Sequence, residues 1–473
     1  MTAARRILYP LGAAVILAYF FFFTWRSLFL YFDADDLNNL YFAWNKPLGE
    51  VLGSNLLFWN GFFRPLGATF YRGIFAAAGF DPLPFHVMAL ALGVCNIALC
   101  FWFVKLVARS DRVAALATLL FAFHTRLMEV WFRTGVIYDA LCFTFLYLGA
   151  CLYIAARREG GRTKAGKIGV GRIAAILACY LCALDAKEMA VFLPVLLLCY
   201  ELIPNRANWK SLVRSRGAVL IGVLALMAIP YAIGKFHGPD AMSNNPAYLP
   251  EISYARFANT WSVYLGHLFV RDTPVPEWVG MVTIGALALA ALVARSRLLA
   301  FAWSVIVFGL MPVAFAPARG AFVLFISWPG WVMYGAVVVV ALEDLTVRGH
   351  PEYRTALACV VFALAGWQAG KINLHDQRGD ARHWLYDTPA LARSLTGQML
   401  KRHATLPRGA RILLTADPFS TEEYTPSFLL ELLYRDPGLK VDRTSMMAKP
   451  PADWDAYQYV FVYEGNQYRQ LKP

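Results

Sequence analysis

The chain has 473 residues, of which 59% are hydrophobic and 16% are charged, and its formal net charge is +13 at pH 7. Soluble domains carry about 25% charged residues, and the apolar residues here form long uninterrupted runs, so the composition excludes an ordinary soluble enzyme. The basic residues lie in short clusters between these runs and not in one basic domain, which argues against nucleic-acid binding. The sequence therefore predicts an integral membrane protein.

The apolar runs begin near Ile7, directly after Arg5 and Arg6, and the first is too long for a cleaved signal peptide. Most later runs have a length that suits a membrane-spanning helix. We expect eleven spans, near residues 7–31, 87–107, 113–130, 137–156, 172–186, 188–204, 217–234, 278–294, 298–316, 321–342 and 355–371. The predicted fold class is an α-helical polytopic membrane protein with about 11 transmembrane helices.

The basic clusters predict how the chain is oriented. Alternating spans place every strongly basic loop on the same side as the N-terminus, which is cytoplasmic by the positive-inside rule. These loops contain Arg109 and Arg112, the cluster 157–172, the cluster 206–216, Arg295 and Arg297, and Arg348 and Arg354. We therefore expect the C-terminal residues to be extracytoplasmic, in a multi-pass protein of a bacterial inner (cell) membrane.

Two long loops and a polar tail are predicted on the outer side. In the first loop, 32–86, the spacing of Leu37, Leu40, Tyr41 and Trp44 predicts an amphipathic helix that lies on the membrane. The second long loop covers 235–277. Residues 372–473 are predicted to form a small α/β domain, because 410–415 and 457–463 resemble strands and 389–402 a helix.

Cysteine and histidine spacing assigns no metal site or disulfide. The eight cysteines all lie in apolar runs, so Cys179 and Cys182 are interpreted as helix-packing residues. A run of ionisable groups just after the last span could hold a metal, because Asp376, Asp380 and His383 would share a helix face, or could be an ordinary hydrated segment, which we favour. It consists of His375, Asp376, Asp380 and His383. The sequence names no certain cofactor and leaves a divalent cation as an option.

Three carboxylates, Asp33, Asp35 and Asp36, directly follow the first apolar run. Crowded carboxylates at a bilayer surface repel one another and lose hydration, so at least one should have a raised pKa, as a general base requires. The alternative is a polar helix end, or an N-cap for a helix that begins near Leu37.

Further ionisable groups lie where other apolar runs meet the outer side. Such groups usually face a cavity or pair together, although each could also be a snorkelling side chain. They are Arg64, His124, Arg126, Glu129, Arg133, Asp139, Asp185, Lys187, Glu188 and Arg319. Together they would suit a substrate with a sugar to be attacked and a phosphate to be held, because carboxylates activate hydroxyls and cations stabilise a leaving phosphate.

The order of these motifs resembles the GT-C superfamily of membrane glycosyltransferases. It is most similar to the protein O-mannosyltransferases that carry tetratricopeptide repeats, and to their bacterial relatives. The similar features are the first-loop Asp35-Asp36, Arg64-Pro65-Leu66, Gly79-Phe80-Asp81-Pro82 with Phe85-His86, the 124–139 connection, Ala186-Lys187-Glu188-Met189-Ala190, and Arg319 followed by Trp328-Pro329-Gly330. The resemblance covers about the first 340 residues. The tetratricopeptide repeats are absent, and the small α/β tail stands in their place.

The resemblance implies a catalytic domain over 1–371 whose active site faces outward. It also implies a polyprenyl-phosphate-linked or dolichyl-phosphate-linked sugar as donor, inversion at the anomeric carbon, and a first-loop aspartate, Asp35 or Asp36, as base. Donor phosphate and sugar contacts are expected from Arg64, Glu129, Arg133, Lys187, Glu188 and Arg319. The sugar and the acceptor (a protein, lipid or glycan) stay open.

Two other functions were weighed from the same residues. A transporter or flippase for a lipid-linked saccharide should show internal repeats and ionisable residues near the bilayer midplane. The charges here lie at span ends and no repeat is evident in the sequence, which disfavours that function. A membrane scaffold with a partner-binding C-terminal domain is the third alternative.

Overall fold

The fold was obtained as a computed structural model. It describes residues 3–54, 64–160, 168–206, 209–213, 215–237, 244, 248–378, 384–420, 424–449, 451 and 454–472. The helices are α1 (Ala3–Thr24), α2 (Ala34–Asn45), α3 (Leu48–Ser54), α4 (Pro65–Ala78), α5 (Pro82–Ala108), α6 (Asp111–Ala122), α7 (Glu129–Phe132), α8 (Ile137–Gly160), α9 (Val170–Ala186), α10 (Phe192–Leu202), α11 (Trp209–Val213), α12 (Arg216–His237), α13 (Tyr254–Leu268), α14 (Glu277–Val293), α15 (Arg297–Leu310), α16 (Trp328–Thr346), α17 (Arg354–Gln377), α18 (Trp384–Arg402) and α19 (Thr425–Tyr434). The strands are β1 (Arg411–Thr415), β2 (Lys440–Arg443), β3 (Tyr459–Glu464) and β4 (Gln467–Lys472).

The long apolar helices identify an integral membrane protein. Within the described residues, six segments are long and apolar enough to cross a membrane: Leu8–Phe29, Pro82–Ala108, Thr134–Glu159, Arg216–His237, Trp328–Thr346 and Pro351–Gln377. Two shorter apolar segments are Glu277–Val293 and Arg297–Val313. A helix overlaps each of the eleven predicted intervals. The predicted helical membrane fold is confirmed, whereas the count of eleven spans stays a prediction.

Two basic turns between antiparallel helices have the same local structure. Between α5 and α6, Arg109 adopts the left-handed conformation and the Ser110 hydroxyl accepts a backbone hydrogen bond from the first turn of α6. Between α14 and α15, Arg295 and Ser296 repeat this arrangement. The left-handed residue ends one helix and the serine caps the next, so an Arg-Ser pair is enough to reverse the chain at both places.

The connection after α6 differs from the prediction. A span was expected over 113–130, but α6 ends at Ala122 because Phe123 is extended, and short helical turns follow up to Val136. The backbone N–H of Thr125 donates to the side chain of Asn373 on α17. Side-chain partners of this kind satisfy backbone groups that a continuous helix would pair internally. The segment 123–136 is therefore a folded connection that ends in the candidate site.

The first long loop contains the predicted helix, α2, but its apolar face is covered by protein. Leu37 and Leu40 are fully buried, and α2 packs against α4 and against α19 of the C-terminal domain. Phe42 remains exposed. The helical periodicity was thus predicted correctly, and the partner of its buried face is protein. Contact of this loop with the membrane surface stays a prediction.

The C-terminal domain has the predicted α/β structure. Its sheet has the order β2-β1-β3-β4, with β1 parallel to both β2 and β3, and β4 antiparallel to β3. Helix α19 connects β1 to β2. The guanidinium of Arg443 at the end of β2 donates to both carboxylate oxygens of Asp417 after β1, and both side chains are fully buried. This satisfied ion pair stabilises the end of the sheet and offers no open ligand site.

Candidate active site

The first-loop carboxylates form the N-terminus of α2. Asp33 is the N-cap: its side chain accepts a hydrogen bond from the backbone N–H of Asp36 at 2.9 Å, and the Asp36 side chain accepts one from the Asp33 N–H at 2.9 Å. This reciprocal arrangement is a capping box. The helix-capping alternative raised from the sequence is therefore correct for Asp33 and Asp36.

The connection before α8 fixes the Asp36 side chain. Its second oxygen accepts hydrogen bonds from the Thr134 hydroxyl at 2.9 Å and from the Gly135 backbone N–H. A Cβ on Gly135 would lie 2.7 Å from the Cβ of Asp35, so only glycine allows this close approach. The Tyr71 hydroxyl of α4 donates to the Thr134 carbonyl at 2.6 Å. Asp36 is therefore buried inside a rigid junction of α2, α4 and α8.

Arg133 gathers the other acidic groups. Its guanidinium donates to Asp33 and, at 2.8 Å, to Asp35, and it lies 3.7 Å from a carboxylate oxygen of Glu129. The Asp35 side chain is 61% exposed, whereas that of Asp33 is 9% exposed. Asp35 is thus the first-loop carboxylate that a substrate can reach, held on one side by Arg133.

Two further ion pairs lie at the end of α9. The Lys187 ammonium donates to both oxygens of Asp139 at 2.6 Å, and both side chains are almost fully buried. Arg64, which precedes α4, donates to both oxygens of Glu188 at 3.2 Å. A buried charge that lacks a partner is costly, so each carboxylate compensates and orients its cation.

Aromatic rings lie against the cations of both ion pairs. The Arg64 guanidinium lies 5.0 Å from the ring centroid of Tyr138, the neighbour of Asp139. The Lys187 ammonium lies 4.8 Å from the ring of Phe322. A Cβ on Gly320 would be 3.3 Å from a carboxylate oxygen of Glu129. The residues around Phe322 therefore join the Lys187 side of the site to the Glu129 side.

Arg319 lies in this same connection before α16. Its guanidinium carbon is 3.5 Å from the ring centroid of Tyr248, a cation–π contact. Its backbone N–H donates to the Tyr264 hydroxyl of α13 at 3.1 Å. All eight residues expected at the site thus fall in one neighbourhood built from α2, α4, α8, the end of α9 and the connection before α16. Whether they perform the expected roles is a matter of proposal.

Sequence reasoning did not assign site positions to several residues that shape this neighbourhood. The clearest are Thr134 and Gly135, which bind Asp36, and the rings of Tyr138, Tyr248 and Phe322. The Arg-Thr-Gly sequence after Trp131-Phe132 was the available signal, because a glycine directly before an apolar run indicates a close backbone approach. No comparable signal marked the aromatic residues, since aromatics occur throughout the chain.

Burial perturbs the carboxylates of the site. Burial raises the pKa of Asp33, and burial together with Asp33 raises the pKa of Asp36 well above its ordinary value. Burial also raises the pKa of Glu129 to about 7, although Arg133 acts in the opposite direction. The raised pKa expected among the first-loop carboxylates is confirmed, and loss of hydration is its main cause.

Glu129 should make the stability of the fold depend on pH. Its pKa in the folded protein is about 7, above its ordinary value of 4.5, so the folded state holds this proton more tightly than the unfolded state. The resulting stabilisation is complete below pH 4.5 and is lost as the pH rises through 7. We expect Glu129→Gln to unfold at a temperature close to the wild type near pH 5 and clearly above it near pH 8. A difference in melting temperature that is the same at both pH values would contradict this.

The ionisable segment after the last span is only partly described. Asp376 accepts a hydrogen bond from the Arg126 guanidinium at 2.7 Å, which makes it an ion-pair partner. Asp380 and His383 lie outside the described residues. Among the described residues, no group of three or more His, Cys, Asp or Glu side chains could hold a metal ion.

Comparison with known proteins supports the architecture. No family model and no curated protein matches the sequence. Among solved structures, the chain is similar to the apo form of the Archaeoglobus fulgidus oligosaccharyltransferase, with a TM-score of 0.52, 12% identity, and coverage of 91% of this chain and 63% of that one. The chain thus spans less than two thirds of the archaeal enzyme's length.

A second solved structure is ArnT from Cupriavidus metallidurans in its apo state, with a TM-score of 0.44, 15% identity, and coverage of 93% of this chain and 86% of that one. The fold of the archaeal oligosaccharyltransferase is shared over most of this chain. The likeness shows a shared fold alone, and this fold agrees with the resemblance to membrane glycosyltransferases that the order of the motifs indicates.

Proposed function

We propose that the protein is a membrane glycosyltransferase that moves a sugar from a polyprenyl-phosphate-linked donor to an acceptor hydroxyl on the extracytoplasmic face, with inversion. The observation that carries this proposal is the placement of an exposed carboxylate, Asp35, beside a set of ordered cations. Fold likeness to an oligosaccharyltransferase supports the same class of reaction. A shared fold alone does not determine function, so the side-chain geometry is the main argument.

Asp35 is the proposed general base. It can be reached by an acceptor, whereas Asp36 is 1% exposed and both of its carboxylate oxygens accept hydrogen bonds, one from the Asp33 N–H and the other from Thr134 and Gly135. The Asp35 carboxylate accepts the proton of the acceptor hydroxyl, the acceptor oxygen bonds to the anomeric carbon, and the bond from that carbon to the phosphate oxygen breaks. Polyprenyl phosphate leaves with the bonding electrons. Arg133 holds Asp35 in place through its 2.8 Å hydrogen bond.

The cations on the other side of the site are proposed to bind the donor phosphate. Lys187 and Arg64 are already oriented by Asp139 and Glu188, and Arg319 is oriented by the ring of Tyr248. Ordered cations of this kind stabilise charge on a leaving phosphate without reorganisation during the reaction. Glu129 is proposed to contribute to the sugar-facing side, between Arg133 and Gly320.

The proposal is tested with purified protein in lipid and a panel of radiolabelled polyprenyl-phosphate hexoses and pentoses. The readout is release or transfer of the labelled sugar, and the comparison is an Asp35→Asn/Asp36→Asn double variant. Turnover of one donor that disappears in a folded double variant supports the proposal and identifies the donor. Turnover that persists in the double variant overturns the mechanism, and transport of a labelled lipid saccharide without a new glycosidic bond overturns the enzyme class.

A further inference from the structure

The C-terminal domain contacts the helix that carries the first-loop carboxylates. The ring of Phe428 on α19 stacks on the ring of Tyr41 on α2, with centroids 4.3 Å apart and an angle of 19° between the planes. The Tyr41 hydroxyl also interacts with the carboxyl group of Glu431, one turn further along α19, and this interaction contributes to the raised pKa of Tyr41. One aromatic contact and one polar interaction thus join the same tyrosine to the domain.

A second helix of the domain holds the segment that leads into α2. The Tyr31 hydroxyl donates to the hydroxyl of Thr396 on α18 at 3.0 Å. The guanidinium of Arg393, also on α18, donates to the backbone carbonyl of Phe29 at 2.6 Å. These contacts lie shortly before Asp33 in the chain. The domain therefore holds the chain on both sides of the carboxylates, before them through α18 and after them through α19.

The contacts of α18 and α19 on both sides of the carboxylates affect the position of Asp35, because its side chain is exposed. Among the residues that the structure describes, Arg133 is the one that binds the Asp35 side chain, so the direction of this carboxylate follows the orientation of the first turn of α2. A displacement of about 1 Å in a reacting group can lower a rate by about a hundredfold. A domain that sets the tilt of α2 would thus set the reach of the proposed base.

We propose that the C-terminal domain is a positioning element for the catalytic helix, with Phe428 and Glu431 acting as positioning residues through Tyr41. The inference rests on the proposed function for its catalytic consequence. The contact between the C-terminal domain and α2 can be measured by an experiment that does not depend on enzymatic activity. The tail that replaces tetratricopeptide repeats is then part of the active-site structure, in addition to any role in binding an acceptor.

The first test is Phe428→Ala, measured in two ways. Hydrogen–deuterium exchange of the backbone amides of 34–45 should become at least about tenfold faster, because the helix loses a packed partner. With the donor found by the panel above, kcat should fall about tenfold or more while the KM for the donor stays within about twofold, because the base and not the donor site is displaced. Phe428→Tyr, which keeps a stacking ring, and Glu431→Gln, which keeps a polar side chain of similar size, should leave both readouts close to those of the wild type.

Trp454→Ala is the matched control, because Trp454 is an exposed aromatic residue of the same domain, between β2 and β3. It should change neither readout. Unchanged exchange of α2 in a folded Phe428→Ala protein overturns the inference, as does faster exchange with an unchanged kcat. If the wild type turns over no donor, the proposed function fails, and the exchange measurement alone still decides whether the domain holds α2.

Discussion

Asp35→Asn should abolish sugar transfer while leaving the fold intact. Removal of a general base typically costs a factor of about 10² to 10⁴ in rate, and the loss should appear in kcat because Asp35 is proposed to act on the acceptor hydroxyl and not to bind the donor. The side chain is exposed, so we expect the free energy of unfolding to change by no more than about 0.5 kcal/mol. The measurement combines initial rates with thermal unfolding in the same detergent or lipid.

Asp36→Asn is the comparison that separates a base from a positioning group. One Asp36 oxygen accepts from the Asp33 N–H and the other from Thr134 and Gly135. The amide NH₂ of asparagine must therefore face a donor, at a cost of about 1–3 kcal/mol. This variant should lose both stability and activity. Full turnover in Asp35→Asn together with a folded but inactive Asp36→Asn would transfer the role of base to Asp36.

Lys187→Met should give the largest loss of stability among the site variants. It leaves the Asp139 carboxylate buried without its cation, and breaking a buried ion pair from one side costs about 3–5 kcal/mol. Donor binding should be lost as well if Lys187 contacts the phosphate. The measurement is thermal or denaturant unfolding of purified protein, with donor affinity measured on the folded fraction.

The double variant Lys187→Met/Asp139→Leu distinguishes structural from functional loss. Replacing both partners of a buried pair by apolar residues is often neutral or stabilising, so the fold should recover. Sugar transfer should not recover, because the cation is still missing. Recovery of transfer in the double variant would show that the pair has only a structural role and that the phosphate is held elsewhere.

Much of the architecture could be predicted because it depends on local properties of the chain. The lengths of the apolar runs and the spacing of Leu37 and Leu40 are such properties, because each depends on residues that are close together in the sequence. The strands predicted over 410–415 and 457–463 and the helix predicted over 389–402 correspond to β1, β3 and α18. The third span was predicted over 113–130, and its predicted end was wrong. Apolar residues continue through Phe132, but the helix ends before Phe123, whose backbone is extended.

The sequence by itself determined a helical membrane protein, the order of its motifs, and the set of ionisable residues that lie at one predicted side. It left Asp35 and Asp36 indistinguishable, because both are adjacent carboxylates in the same first turn. Only the tertiary structure separates them, since burial of Asp36 depends on Thr134 and Gly135, about 100 residues away in the chain.

The partners in the ion pairs of the site are likewise determined by the tertiary structure. Arg64 and Glu188 are 124 residues apart in sequence, and Lys187 and Asp139 are 48 apart. The contact between Tyr41 and the C-terminal domain likewise joins distant parts of the chain. Helix formation depends on spacing that any short window contains, whereas pairing depends on which helices pack side by side. Helix formation can therefore be predicted from the sequence, whereas the pairing of side chains between helices requires the folded structure.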